Sequence, residues 1–71
     1  MARIEIIQKN LREAIRTSGI EQKKIAKRLG INPSTVSKYT RLNIYPAIDT
    51  FAELCVILDV SADEILGIKT N

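Results

Sequence analysis

Apolar residues recur along the chain at helical spacing, and no segment alternates convincingly with period two. Ile4, Ile7, Leu11, Ala14 and Ile15 share one side of a first helix from Ile4 to Thr17, which Ser18-Gly19 ends. Arg12 and Arg16 lie off that face. Gln22 to Leu29 reads as a short second helix with Ile25, Ala26 and Leu29 inward and Lys23, Lys24, Lys27 and Arg28 outside. Gly30 follows, a residue that can take the left-handed backbone that closes a helix. A third helix should start at once, because Asn32 is a good N-cap acceptor and Pro33 is pre-set for the first helical position. It runs to Tyr39 or Arg41, and residues 40 to 46 form a connection. Ile48, Phe51, Leu54, Cys55 and Leu58 give a fourth helix its buried stripe, which Asp59 closes. Ser61-Ala62-Asp63-Glu64 has the form of a capping box, with Val60 and Ile65 as its hydrophobic staple, so a fifth short helix ends at Gly67. The prediction is an all-α fold of five helices, with residues 1 to 71 forming a single domain without linker or repeat.

With 71 residues, 45% of them hydrophobic, the core is real but small. Folding at this size hides only about 60% of the surface of the unfolded chain, so a second copy adding to stability is an expectation from the start. The overall charge of +3 conceals a strong polarity. Residues 1 to 41 carry ten of the eleven bases against Glu5, Glu13 and Glu21, a net +7. Residues 42 to 71 carry Lys69 against Asp49, Glu53, Asp59, Asp63 and Glu64, a net −4.

The residue inventory removes whole classes of chemistry. There is no histidine and only one cysteine, Cys55, which rules out zinc sites, histidine-based acid-base work and Ser/His or Cys/His nucleophile pairs. Neither a metal nor any other cofactor is implied. Cys55, at helical spacing with Leu54 and Leu58, is read as core packing rather than a redox sensor. The longest purely apolar run, Leu54 to Leu58, is five residues, and the N-terminus lacks an apolar signal core. With no disulfide framework, the expected setting is the cytoplasm, away from membranes.

The third helix carries the informative pattern. With Val36 and Tyr39 turned to the core, its other side presents Ser34, Ser37, Lys38 and Arg41 at i, i+3, i+4 and i+7, a polar and basic row without acids. A helix of this kind can enter the major groove of B-form DNA, where lysine donates to guanine O6 and N7 and serine donates or accepts at several bases. The alternative for Ser34 and Ser37 is hydrogen bonding to local backbone. The second helix would then aim its N-terminal amides, with Gln22 and Lys23, at a phosphate, and Lys23, Lys24, Lys27 and Arg28 would face the DNA backbone instead of only solvent. Ser34 and Lys38 also have the types of a Ser-Lys nucleophile pair, but a convex helix face offers no pocket to depress a lysine pKa, so no enzyme is expected.

The run from Gln22 through Ile25, Ala26, Leu29, Gly30, Ile31, Val36 and Tyr39 resembles the helix-turn-helix of Cro and phage-repressor type (Xre-like) regulators. The resemblance covers residues 4 to 68, with Phe51 to Leu58 and Ser61 to Leu66 in the order of the family's fourth and fifth helices. It implies a lambda-repressor-like DNA-binding domain with the helix-turn-helix at helices 2 and 3. By the resemblance, Pro33, Ser34 and Lys38 sit where family members read bases. Gln22 and Asn32 touch phosphates and brace the recognition helix, and Arg41 and Asn43 hold backbone-contact positions. With Ser37 added to the base contacts from the exposed row, the expected phosphate set is Gln22, Lys23, Lys27, Asn32, Thr35, Arg41 and Asn43.

The chain departs from the family in ways that carry meaning. Where the family usually has an acid, Asn and Gly after the third helix, this chain has Thr40-Arg41-Leu42-Asn43. The missing Gly implies a third helix that continues further, and the change from an acid to Thr40 removes a negative charge from the DNA side. Glu21 and Ala47 replace the Thr or Ser common before the second and fourth helices, and Ala47 cannot cap through a side chain. Leu42, Ile44, Tyr45, Val56 and Ile68 are apolar at positions expected to lie outside. They serve either local packing or the interface of a homodimer, formed at least on DNA, that would set two recognition helices about 34 Å apart over an inverted-repeat operator. The leading reading is sequence-specific binding of double-stranded DNA as a dimeric transcriptional repressor. The competing reading is an antitoxin or adaptor acting mainly through a protein partner. Binding to RNA or single strands is disfavoured, because exposed aromatic pairs for base stacking are lacking.

Overall fold

The computed structural model describes residues 4–41 and 44–68, and these form five helices: α1 (Ile4–Thr17), α2 (Gln22–Leu29), α3 (Pro33–Arg41), α4 (Ile48–Leu58) and α5 (Ala62–Leu66). The helix ends are set by local chemistry. At the end of α1 the Ser18 hydroxyl donates to the Ile15 carbonyl at 2.7 Å and accepts from the Ile20 amide at 3.1 Å, turning the chain. Gly30, at φ 71°, ends α2 in the left-handed region. Its amide donates to Lys27 O at 3.3 Å, and the Ile31 amide donates to Ala26 O at 3.0 Å, a Schellman closure that satisfies two terminal carbonyls. Asp59 does the same for α4 at φ 55°, with the Val60 amide donating to Cys55 O at 3.0 Å. A non-glycine residue tolerates this conformation best when its side chain is short and polar, as here.

α3 packs on α1 and α2, α5 packs on α1, and α4 packs on α2. The core between them consists of Leu11, Ile15, Ile25, Ala26, Val36, Tyr39, Leu54, Cys55, Leu58 and Ile65, with Ile7, Ala14, Leu29, Phe51 and Val60 packed around it. Two polar side chains tie helices together across the fold. Asn10 Nδ2 donates to Ile65 O at 3.1 Å, joining α1 to α5, and Gln8 Nε2 donates to Tyr39 O at 3.4 Å, joining α1 to α3. Burial pushes the Cys55 thiol and the Tyr39 phenol above their ordinary pKa values, so both stay neutral as core groups.

Three expectations need correction. Ile4 and Ile48 share the predicted apolar faces, yet Ile4 is 58% and Ile48 86% exposed. Each is the first residue of its helix, where the stripe overhangs the elements beneath it. Ser61 caps α5 without forming a capping box: its hydroxyl accepts from the Asp63 amide at 3.2 Å, while the Glu64 amide donates to the Ser61 carbonyl at 3.1 Å. Ser61→Ala should therefore cost about 1 kcal/mol of stability, the worth of a single N-cap bond. A urea melt of the two proteins would test this, and an unchanged midpoint would show that α5 does not need its cap.

Candidate nucleic-acid interface

α2 and α3 meet across Gly30-Ile31-Asn32, and the geometry of this joint decides what α3 can present. Asn32 Oδ1 accepts both the amide and the hydroxyl of Ser34, each at 2.9 Å, and the Thr35 amide donates to Asn32 O at 2.9 Å. The side-chain oxygen of Asn32 is thus spent on capping α3, and its Nδ2 is left to donate outward. The Ser34 hydroxyl gives its proton to Asn32, which leaves its lone pairs to accept, as from adenine N6 or cytosine N4.

Val36 is fully buried and Tyr39 nearly so, which fixes the rotation of α3. Pro33, Ser34, Lys38 and Arg41 are exposed, while Ser37 and Thr35 are half-buried. No acid lies in α3, so the exposed row carries only positive charge. In α2, Gln22, Lys23, Lys24, Lys27 and Arg28 are all exposed, with Ile25 and Ala26 beneath them. Asn43 and Leu42 lie outside the described residues.

The Thr40 expectation is corrected. Thr40 does not face outward toward DNA: it is buried to 8% exposure, and its hydroxyl donates to Ser37 O at 2.7 Å. It closes one side of a cavity of about 430 Å³ lined by Arg12, Ile15, Arg16, Gly19, Ile20, Glu21, Gln22, Thr40 and Arg41. The cavity joins Gln22 and Arg41, both expected phosphate contacts, to Arg12 and Arg16 of α1, which sequence reasoning placed only off the core face. Their i, i+4 spacing was the available signal, since it puts both guanidinium groups on one side of α1.

Of the other apolar positions singled out, Val56 is 80% exposed, Ile44 and Ile68 are exposed, and Tyr45 is half-buried with its hydroxyl donating to Ile4 O at 3.2 Å. Tyr45 also lines an apolar cleft of about 250 Å³ with Ile4, Ile7, Leu11, Pro46, Ile48, Phe51 and Leu66. Among the described residues no group of His, Cys, Asp or Glu could hold a metal ion, and no helix is long and apolar enough to cross a membrane.

A helix whose basic face stands clear of the core, braced by a second helix across a tight glycine turn, defines a helix-turn-helix DNA-binding domain. A family model described as helix-turn-helix matches residues 11–65, and the chain belongs to that family, the Cro and phage-repressor type DNA-binding domains. No curated protein and no solved structure matches the chain.

Proposed function

We propose that this domain binds double-stranded DNA sequence-specifically, as a homodimer on an inverted-repeat operator, and acts in the cytoplasm as a transcriptional repressor that blocks promoter access. The observation that carries this reading is the acid-free exposed row of α3. Pro33, Ser34, Ser37 and Lys38 read bases in the major groove. Gln22, Lys23, Lys27, Asn32, Thr35, Arg41 and Asn43 hold phosphates and supply affinity that does not depend on sequence. Ile44, Tyr45, Val56 and Ile68, with Leu42, contribute to the contact between copies. The exposure of Ile44, Val56 and Ile68 supports this, since a chain this small gains from covering such surface.

A second reading has one observation in its favour. Ile48 and Val56 of α4 stand exposed beside Asp49 and Glu53, which suits a basic, apolar protein partner such as a toxin paired with an antitoxin. Selection of bound duplexes from a random pool separates the two. The repressor reading expects an inverted repeat bound about 10³-fold or more over scrambled competitor, with affinity falling steeply as salt rises. A pool without an enriched sequence would remove sequence-specific regulation and leave the protein-partner reading.

A further inference from the structure

Arg12 and Arg16 of α1 and Arg41 of α3 come from two helices to one concavity, and none of them contributes to the core. A guanidinium presents a planar fork of N–H donors that matches phosphate oxygens, so three of them around one concavity suit an anion. Among the described residues, Glu21 is the only carboxylate lining the cavity. Beside Arg41, the wall from α3 is Thr40, neutral and with its hydroxyl proton already given to Ser37 O. Glu21 is extended at φ −62° and ψ 143° and makes no side-chain cap to α2. The first backbone bonds of α2 run from the Lys24 and Ile25 amides to Glu21 O, so the Gln22 and Lys23 amides ahead of them have no acceptor within the helix. Ile15 and Ile20 add apolar lining beside these charged groups. Its volume of about 430 Å³ is many times the ~30 Å³ share of one water, room for a tetrahedral anion with bridging waters.

We propose that this cavity is a phosphate-binding site in which Arg12 and Arg16, with Arg41, grip phosphate oxygens outside the base-reading row of α3. Those oxygens belong either to the backbone of bound DNA, which rests on the DNA-binding reading above, or to free phosphate, which does not. Arg41 belongs to both the cavity and the α3 row, so a backbone phosphate held here flanks the bases that Ser34 and Lys38 would meet. The site then adds affinity and salt dependence without adding sequence preference.

The test uses the full chain, its Arg12→Gln/Arg16→Gln double variant and Glu21→Gln, with thermal melts to establish that each folds. Binding to a selected and a scrambled duplex is measured across salt, and the arginine Nε–Hε NMR signals are followed during titration with inorganic phosphate without DNA. For a DNA phosphate, the double variant binds both duplexes about tenfold more weakly at low salt, and the slope of log K against log salt falls by about 1 to 2. Glu21→Gln tightens both duplexes, and keeps the proposal testable should the double variant fail to fold. For free phosphate, the Arg12 and Arg16 signals shift saturably with inorganic phosphate, whether or not the duplex binds. If the wild-type chain ignores duplex DNA, the DNA reading fails alone and the phosphate titration decides the site. Unchanged duplex affinity and slope in the variants, together with no saturable shift, overturn the proposal.

Discussion

Leu54→Ala is expected to remove about 2–5 kcal/mol of stability and to leave a large share of the chain unfolded at 25 °C. Leu54 is completely buried in α4, and α4 packs on α2, the helix that carries the joint to α3. Truncation removes the transfer energy of its side chain and opens a cavity that close-packed neighbours fill only in part. Cores in domains this short seldom supply more than about 3–5 kcal/mol net, so the loss is of the same size as the whole. Denaturant melts followed by far-UV circular dichroism would read it. A cooperative transition within about 1 kcal/mol of wild type would show that α4 is not needed to hold the joint. Val56→Ala, two residues on but exposed, is the control and should change monomer stability by no more than about 0.5 kcal/mol. If its cost instead grows with protein concentration, Val56 lies between copies.

The helices were legible because their ends are written in a few residues. Gly30 and Asp59 take left-handed backbones that satisfy terminal carbonyls, Asn32 caps α3, and Pro33 occupies the first position of that helix. Apolar periodicity also places Ile25 and Ala26 of α2 and Val36 and Tyr39 of α3 inward, while the buried Thr40 escapes it. What periodicity does not contain is where a helix overhangs its neighbours, which is why Ile4 and Ile48 share the apolar stripes and are nonetheless exposed. A stripe of the right period says which way a residue points and nothing about whether a second element is there to meet it.

The site divides along the same line. The row of Ser34, Ser37, Lys38 and Arg41 lies on one helix, so its spacing alone places it, and the structure adds that Ser37 is half-buried and that the Ser34 hydroxyl is committed to Asn32. The arginine cavity requires α1, the start of α2 and the end of α3 together. No local window contains that information. Thr40 shows the same limit: its place in the sequence suggested a DNA-facing change of charge, whereas its burial makes it the neutral wall of the cavity.

Lys38→Ala is expected to relax preference at one base-pair position of the selected operator by about 1–3 kcal/mol. Lys38 stands exposed on the face of α3 opposite the buried Val36 and Tyr39, four residues beyond Ser34, in a helix without acids to draw its ammonium aside. In the groove it would donate to guanine O6 and N7, and its loss leaves those acceptors without the partner that distinguishes guanine from the other bases. Lys23→Ala makes the contrasting case. Lys23 is exposed in the first turn of α2, where its ammonium would meet a phosphate carried by every sequence. Its removal should weaken selected and scrambled duplexes alike and lower the salt slope by about 1, leaving the ranking of operator variants intact. Affinities for all single-base variants of the operator, measured with both mutants at fixed salt, separate these outcomes. Equal weakening of every sequence by both substitutions would mean that Lys38 and Lys23 alike hold phosphates and neither reads a base. The discrimination would then have to come from Ser34, Ser37 and Pro33, or from the deformability of the DNA itself.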